Sequence, residues 1–278
     1  MTATATPPPV TLPDRPEIIA LRGRIFEWFA ANRRDLPWRL TRDPYAILVS
    51  EVMLQQTQVP RVLTRFTEWM ERYPTLDSLA AATLADVLGS WSGLGYNNRA
   101  ARLRECARAV AASGAPARLP ESVDDLRRLP GIGPYTARAV MIFAHNADLA
   151  AVDANVRRVL THELHLPHAL NASQLQAVAD AVLPCGRSRG WHNALMDYGA
   201  LVLTSRATGI APRTRQTRFE GSRRQIRARL LKSLLDRPQS LDSFAATLGV
   251  DRDLLAAIAL DLEHDGLVRI DGADLSIA

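Results

Sequence analysis

Apolar residues recur at helical spacing along most of the chain. Between Pro16 and Asn32, for example, Ile18, Leu21 and Ile25 are separated by three or four positions, which is typical of an amphipathic helix. The same pattern, with prolines at first-turn positions and polar breaks between segments, predicts about ten short helices and no strand up to residue 204. Further helices are expected at 44–57, 59–72, 76–82, 84–90, 99–113, 153–165, 173–183 and 188–204, with a helical hairpin at 121–146. The bulk of the chain is therefore predicted to be an all-α domain.

Residues 222–278 show a different pattern. Three helices are expected, at 223–235, 241–248 and 251–265, followed by two short alternating segments around a turn at Asp271-Gly272. This order predicts a small winged-helix-like α+β unit, although its third helix is acidic and apolar and so is a poor candidate for reading bases. A polar, basic linker is expected at 206–221, and a disordered tail rich in Thr, Ala and Pro at 1–14.

Composition adds a modest bias towards nucleic acid. Hydrophobic residues make up 47% of the 278, enough for a buried core, and the net charge is +5. Nearly all of the 34 basic residues are arginine, whose planar guanidinium binds phosphate, although arginine-rich surfaces also have other origins. No apolar run reaches the roughly 18 residues of a membrane helix, and the N-terminus lacks the pattern of a signal peptide. The chain is therefore expected to be a soluble cytoplasmic protein that does not bind membranes.

Cys106 and Cys185 are the two cysteines of the sequence. Neither has another Cys or a His nearby at metal-ligand spacing, so neither a disulfide scaffold nor a zinc site is predicted. Both side chains are expected to be inert thiols.

One carboxylate, Glu51, interrupts the apolar face of the helix expected at 44–57. Because burying an ion is costly, Glu51 should lie at a cleft, be paired, or have its pKa raised; the alternative is an exposed helix residue.

A second local feature is the turn Gly93-Leu94-Gly95-Tyr96, which has half of a dinucleotide-binding pattern. No strand precedes this turn and no third glycine follows, so nucleotide binding is rejected. An exposed aromatic residue before an arginine-rich helix suits nucleic acid better.

Residues 126–159 contain a glycine-rich turn between two apolar-periodic segments. The glycines in LPGIGPYTA let backbone N–H groups approach a phosphate, and the helix that follows adds its positive dipole end. Asp153, about twenty residues beyond, would then lie near the sugar of the nucleotide held by the turn; the alternative is a helix–helix turn without function. The predicted phosphate-binding residues are Gly131, Ile132, Gly133, Tyr135 and Thr136.

Seven segments together carry a family resemblance. LPWR, RDPY, SEVMLQQTQV, GLGY, LPGIGPYTA, VDANVRRV and MDYGAL resemble, in order and spacing, the helix-hairpin-helix (HhH-GPD) DNA glycosylases, most closely the adenine DNA glycosylases of the MutY type. The resemblance covers about residues 20–205. It implies a domain at 15–205 with two helical subdomains flanking a cleft, one at about 36–146 and one formed by 15–35 and 147–205. It also implies a monomer that acts on nucleoid DNA, with double-stranded DNA carrying mispaired or oxidised bases as its partner.

The resemblance also implies roles for single residues. Glu51 matches the general acid that protonates a flipped adenine, and Asp153 matches the carboxylate that stabilises the oxocarbenium-like sugar; one must be protonated and the other ionised. Tyr135 and Asn155 match residues near the sugar. A lysine at position 135 would form a Schiff base with the sugar and cut the strand, so tyrosine predicts a monofunctional enzyme.

Further matches concern base recognition and base flipping. Trp38 and Arg39 match residues lining the base pocket, and Asn193 falls where the family reads adenine with a longer Gln or Glu. The residues expected to contact the lesion and to wedge into the helix are Gln55, Gln56 and Tyr96.

Two features depart from the family. The family usually holds an iron–sulfur cluster with four cysteines, whereas the equivalent positions here are Leu203, Ile210, Arg213 and Phe219. No cluster, no other metal and no organic cofactor are therefore predicted, although the resemblance allows a monovalent cation at the hairpin. The large C-terminal domain that senses 8-oxoguanine is replaced by the short unit at 222–278. The arginines of the linker are expected to supply a phosphate contact in place of the cluster loop.

The predicted reaction is hydrolysis of the N-glycosidic bond of adenine opposite 8-oxoguanine or guanine. A thymine or uracil mismatch glycosylase of the same superfamily is the first alternative, since a hairpin tyrosine and a distant Asp also occur there. A DNA-binding protein that has kept the fold and lost catalysis is the second alternative.

Overall fold

A computed structural model describes residues 12–213 and 218–278. Its helices are α1 Arg15–Asn32, α2 Pro37–Leu40, α3 Pro44–Leu54, α4 Val59–Arg72, α5 Leu76–Ala81, α6 Leu84–Ser90, α7 Asn98–Ala111, α8 Val123–Arg127, α9 Pro134–His145, α10 Ala154–Glu163, α11 Ala172–Ala181, α12 Ser188–Leu201, α13 Ser205–Thr208, α14 Arg223–Asp236, α15 Leu241–Leu248 and α16 Arg252–His264. Its strands are β1 Gln239–Ser240, β2 Val268–Asp271 and β3 Asp274–Ile277. The predicted all-α domain followed by a small α+β unit is confirmed.

The helix ends follow local signals that the sequence contains. The predicted bounds of α4, α6 and α15 coincide with those observed: α4 has a proline in its first turn, and Thr83 and Ser240 cap the N-termini of α6 and α15. Two helices were missed. α2 begins with Pro37 at its first position, in a segment interpreted as a break, and α13 lies within the predicted linker and ends at Gly209 in the left-handed conformation.

The predicted tail at 1–14 was too long at its C-terminal end. Asp14 is the N-cap of α1, where its side chain accepts from the Glu17 backbone N–H while the Glu17 carboxylate accepts from the Asp14 N–H. This reciprocal capping box stabilises the first turn of the helix. The prediction for residues 1–11 lies outside the described residues.

Among the described residues, the first compact unit comprises 12–47, 121–124 and 133–213. Its core is formed by apolar side chains of α1, α10, α11 and α12, and Leu21, Ile25 and Trp191 at its centre are almost completely inaccessible to solvent. Phe26 packs on Trp191 with ring centroids 5.5 Å apart. The amphipathic pattern of the sequence is thus explained by burial of one face of each helix.

A buried ion network joins the segment after α1 to α12. Asp197, with no exposed surface, accepts from Arg34 Nε at 2.7 Å and from Arg39 Nη1 and Nη2 at 2.7 and 2.8 Å. Burial by itself raises the pKa of the Asp197 carboxyl. The hydrogen bonds and charges of Arg39 and Arg34 together outweigh burial and hold this pKa below its usual value of 3.8.

The second compact unit comprises the described residues of 48–120, 125–132 and 218–278. Trp69 and Trp91 are fully buried in it and meet edge to face at 5.4 Å. Within the C-terminal segment the elements follow in the order α14, β1, α15, α16, β2 and β3, and the three strands form an antiparallel sheet of order β1-β3-β2. The predicted layout was a helix, a helix-turn-helix and a hairpin. The sequence pattern did not indicate the strand β1.

These units do not follow the predicted domain ranges one for one. Residues 133–146, expected in the same subdomain as residue 51, belong to the first unit, and residues 218–278 belong to the second unit together with 48–120. Each compact unit is therefore formed by segments that are not consecutive in the chain. Separately, in the described part of the chain no helix is both long and apolar enough to cross a bilayer.

We predict that Asp197→Asn lowers the free energy of unfolding by about 3–5 kcal/mol at neutral pH, because it removes the buried anion that pairs with two partly buried guanidinium groups. The folded-state pKa of Asp197 is depressed, so its contribution is fully present above the unfolded-state value and is lost as pH falls through the folded-state pKa. Urea denaturation at several pH values measures both effects. Asp261→Asn is the matched control, since its pair with Arg223 is more than half exposed. Equal stability of the two variants would contradict the prediction.

Candidate functional site

Asp153 is the N-cap of α10 and is half-buried. One carboxylate oxygen accepts from the Val156 backbone N–H at 2.7 Å, and the other accepts from Asn155 Nδ2 at 3.0 Å. Burial nevertheless raises the pKa of Asp153 above its usual value, because the lowering by these hydrogen bonds and by the Arg158 charge is smaller. The ionised carboxylate is therefore well oriented but poorly solvated.

Asn155 is held in turn by Arg158, a residue that the sequence analysis missed. Arg158 is buried, and its Nη2 donates to Asn155 Oδ1 at 2.7 Å and to the Gly199 carbonyl at 2.6 Å. Its spacing of three from Asn155, on the same helix face, was the signal that could have found it. Gly199 in α12 is required for this approach, since a Cβ there would lie 2.9 Å from Asn155 Cβ.

Glu51 lies on α3 and is 8% exposed. Its helix neighbours Val49, Val52 and Met53 are also buried. The alternative of an exposed helix glutamate is therefore wrong. The structure therefore places this carboxylate at a buried position of a helix that is apolar at most other positions.

The predicted hairpin turn lies between α8 and α9. Gly131 has φ +76°, and a Cβ there would meet Arg102 Cβ at 2.8 Å, so this position requires glycine. Gly133 is different: it is the N-cap of α9 with φ −85°, which any residue can adopt, so its backbone conformation does not require glycine, and its expected approach to a phosphate stays a prediction. Ile132 and Thr136 are buried and Tyr135 is half-buried in the first turn of α9.

Five predicted DNA-contacting residues line one groove of the second unit. Its volume is about 1290 Å³, and we call it the Gln56–Tyr96 groove. Their predicted roles are of two separate kinds, wedge or lesion contact and phosphate binding, and the fold brings the two kinds together. They are Gln55, Gln56, Tyr96, Gly131 and Ile132.

Gln56 and Tyr96 each have a strained backbone conformation. Their φ angles are 56° and 51°, in the left-handed region that non-glycine residues rarely occupy. Such strain costs of order 1–3 kcal/mol per residue and is typical of functional positions. Two side chains predicted to enter the DNA helix are thus among the strained residues of the described chain.

Arg99 supports both strained turns and was not predicted. Its Nη1 donates to the carbonyl oxygens of Val52 and Gln55 at 2.7 and 2.6 Å, and its Nη2 donates to the Gly95 carbonyl at 2.9 Å. Burial lowers the pKa of Arg99 to about 10, an effect that Tyr96 partly offsets. The guanidinium therefore stays charged at neutral pH and joins the end of α3 to the Gly93–Tyr96 turn.

The predicted base-pocket residues lie in the first unit. Trp38 is buried, Asn193 is half-buried on α12, and both Nη atoms of Arg39 bind Asp197. Arg39 therefore has at least a structural role. The contribution of the three to a base pocket stays a prediction.

The residues at the four cluster positions do not fit an iron–sulfur cluster, because none is a thiol. Leu203 and Ile210 are buried, and Phe219 is exposed. Arg213 Nη2 donates to the Leu170 carbonyl, and Arg157 Nη2 donates to the Ala211 carbonyl. Apolar burial and arginine–carbonyl bonds therefore hold the segment 203–213 in the first unit.

Other expectations about metals and the linker have mixed outcomes. Cys106 is buried and burial raises its pKa to about 12, whereas Cys185 is exposed. No cluster of three or more His, Cys, Asp or Glu suited to a metal occurs in residues 12–213 and 218–278. Arg206 and Arg218 are exposed, and Arg215 lies outside the described residues, so the phosphate contact expected of the linker stays a prediction. The monovalent cation at the hairpin likewise stays a prediction.

Comparison with known proteins identifies the class. Residues 49–189 match the model of the HhH-GPD superfamily base excision DNA repair proteins. An adenine DNA glycosylase of Mycolicibacterium smegmatis is 43% identical over 233 residues, which cover 76% of this chain and 79% of that protein. The chain therefore belongs to the HhH-GPD superfamily and, within it, to the family of the adenine DNA glycosylases.

Solved structures support the same fold. A thermostable thymine-DNA glycosylase superposes with a TM-score of 0.65 at 30% identity, covering 69% of this chain and 90% of that one. Endonuclease III in a non-covalent DNA complex gives a TM-score of 0.62 at 19% identity over 73% of this chain and 91% of that one, which shows the shared fold alone.

We predict that Asp153→Asn leaves the protein at least as stable as the wild type at neutral pH. The folded-state pKa of Asp153 is raised, so the charged carboxylate costs stability above that pKa and the cost disappears as pH falls through it. Asn also serves well as an N-cap. The stability gained by the variant should therefore be largest at neutral pH and shrink on acidification, as urea denaturation at several pH values would show.

Asp153→Ala is the matched control for this variant. It removes the same charge but also the cap, and it should be about 1 kcal/mol less stable than Asp153→Asn. An Asn variant that is clearly less stable than the wild type at neutral pH would contradict the inferred cost of the charge.

Proposed function

We propose that this protein hydrolyses the N-glycosidic bond of adenine mispaired with 8-oxoguanine or guanine in double-stranded DNA. The observation that carries the proposal is the 43% identity to an adenine DNA glycosylase over 76% of the chain. The presence of both predicted carboxyl groups, Glu51 and Asp153, at half-buried or buried positions supports it. Monomeric action on DNA in the cytoplasm is part of the same proposal.

Glu51 is the proposed general acid. Adenine is a poor leaving group as an anion, so a ring nitrogen must be protonated before or while the bond to the sugar breaks. A general acid must hold its proton until it meets the base. Burial disfavours a charged group more than a neutral one, and Glu51 is buried, at 8% exposure, on an apolar helix face. Proton donation by a positioned side chain is worth roughly 10² to 10⁴ in rate.

Asp153 is the proposed anion that stabilises the oxocarbenium-like sugar. Its poorly solvated carboxylate has most to gain from a cation that develops beside it during the reaction. Its hydrogen bonds to Val156 and Asn155 fix both oxygens before the reaction begins. Asn155 and Arg158 act as positioning residues, because they hold the carboxylate rather than the substrate.

Tyr135 sets the reaction type. A phenol cannot form a Schiff base with the sugar, so water completes the reaction and the DNA strand stays intact. Trp38, Arg39 and Asn193 are the proposed base-pocket residues. Flipping the adenine out of the duplex costs a few kcal/mol, which the wedge residues Gln56 and Tyr96 help to offset.

A thymine mismatch glycosylase is the second candidate. The observation that favours it is the 30% identity and TM-score of 0.65 to a thermostable thymine-DNA glycosylase. The adenine DNA glycosylase relative is more similar, at 43% identity. The substrate, rather than the fold, therefore separates the two candidates.

A substrate panel tests the proposed specificity. Duplexes with A opposite 8-oxoguanine, A opposite G, T opposite G and U opposite G are incubated with the protein and then treated with alkali. We expect strand cleavage after alkali only in the two adenine duplexes. Cleavage at T or U alone would support the thymine candidate, and no product anywhere would indicate a DNA-binding protein without catalysis. Cleavage before alkali would contradict the role given to Tyr135.

Replacing the general acid tests the mechanism. We expect Glu51→Gln to lower the single-turnover rate by roughly 10² to 10⁴ while binding to the adenine duplex is retained, because Gln keeps the shape but donates no acidic proton. Glu68→Gln, at an exposed position of α4, is the matched control and should excise adenine at the wild-type rate. A near-normal rate in Glu51→Gln would reject its assignment.

A further inference from the structure

Helix α14 of the C-terminal segment lines the Gln56–Tyr96 groove. The groove lies entirely within the second unit, and α14 contributes Arg224, Arg229 and Lys232 to its lining. The residues predicted to enter the DNA helix therefore share a groove with a helix from the segment 222–278, whose task the family resemblance does not explain.

Side-chain contacts attach α14 to Tyr96 and to Asn98. Arg224 Nη1 donates to the Tyr96 hydroxyl at 3.0 Å, and its guanidinium carbon lies 5.9 Å from the centre of the Tyr96 ring. Arg227 Nη2 donates to Asn98 Oδ1 at 2.9 Å and also pairs with Asp265. The hydroxyl end of the Tyr96 side chain thus contacts an arginine of α14.

The groove is strongly basic. Seven of its lining residues are Arg or Lys, against Glu220 and Asp265. Asp265 is already paired with Arg227, and Arg99 is bonded to backbone carbonyls. Arg224 is bonded to Tyr96. Further basic side chains that can meet a polyanion lie on several sides of the groove: Arg61, Arg102, Arg229 and Lys232. A groove of this charge attracts a phosphate backbone.

We propose that the α14 side of the groove binds the DNA strand opposite the target adenine. The hairpin around Gly131 is the expected contact to the target strand, and Tyr96 is expected to insert where the adenine leaves. An aromatic ring that enters the stack from the target strand points its tip at the facing strand, and the Tyr96 tip is bonded to Arg224. Arg229 and Lys232, exposed farther along the same helix, then meet the phosphates of that strand. This inference rests on the proposed function.

Salt-dependent binding tests the charge contribution of α14. The probe is a fluorescein-labelled duplex with 2′-fluoro-deoxyadenosine, which resists excision, opposite guanine. We expect the double variant Arg229→Ala/Lys232→Ala to bind more weakly and to lower the slope of log Kd against log salt by about 2, since each lost phosphate contact removes about 0.9. The control double variant Arg237→Ala/Arg269→Ala removes two exposed charges of the same segment outside the groove lining and should match the wild type. An unchanged slope in the first variant would overturn the proposal.

Disulfide cross-linking tests which strand is bound. Arg229→Cys is placed in a Cys185→Ser background, because Cys185 is the exposed native thiol and Cys106 is buried with its pKa raised to about 12. Duplexes carry a thiol tether on either the target or the facing strand near the adenine analogue. We expect a cross-link with the facing strand. Cross-linking to the target strand alone, equally to both strands, or to neither would overturn the strand assignment.

These measurements separate this inference from the proposed function. Both use an uncleaved duplex, so they do not depend on which base is excised, and wild-type excision of adenine is measured independently. Excision of thymine instead of adenine would reject the proposed function while the salt slope and the cross-link still decide the role of α14. Thermal melts followed by circular dichroism show whether each variant is folded.

Discussion

The carbonyl groups at helix ends are the constraint on which much of this structure depends. Each helix leaves its last carbonyls without helical partners, and a fold of many short helices has many such ends. Here arginine side chains from other elements supply the donors. Arg22 donates to Val182 and Leu183, Arg104 to Ala82, Arg189 to Arg39 and Thr41, Arg99 to Val52, Met53 and Gln55, and Arg158 to Gly199 and Leu203. Because a guanidinium has five N–H groups, one side chain can satisfy several carbonyls at once.

This use of arginine changes the meaning of the composition. An arginine-rich sequence suggested nucleic acid, yet part of that arginine content is committed to backbone carbonyls and is not available to phosphate. Two such residues, Arg99 and Arg158, support the candidate site itself: Arg99 joins the two strained turns of the groove, and Arg158 holds Asn155 against Asp153. Structural and functional demands on arginine therefore meet at the same positions.

The contrast between Asp153 and Asp197 shows how environment divides one residue type into two roles. Both carboxyl groups are desolvated, which by itself raises the pKa of each. Asp197 has two guanidinium partners that outweigh burial, so it is a stable anion that links elements of the first unit. Asp153 accepts hydrogen bonds from a backbone N–H and from an amide. The charge that acts on it belongs to Arg158, whose N–H groups donate to Asn155 and to backbone carbonyls instead. Its charge is left undercompensated, as expected for a group that must respond to a cation formed on the substrate.

The sequence by itself determined most of the helices, the C-terminal layout and the family, because these follow from local signals: apolar spacing, prolines, caps and short motifs. For Glu51 the sequence left burial and an exposed helix position as alternatives, and the structure decided for burial. Only the tertiary structure decided the roles of Arg99 and α14, and the need for glycine at Gly131 and Gly199. Each of these depends on contacts between residues distant in the chain: Arg99 meets residues 52–55, and Arg224 meets Tyr96 across 128 positions. Periodicity and spacing report the neighbours of a residue along its own helix, whereas these contacts depend on which helices pack together.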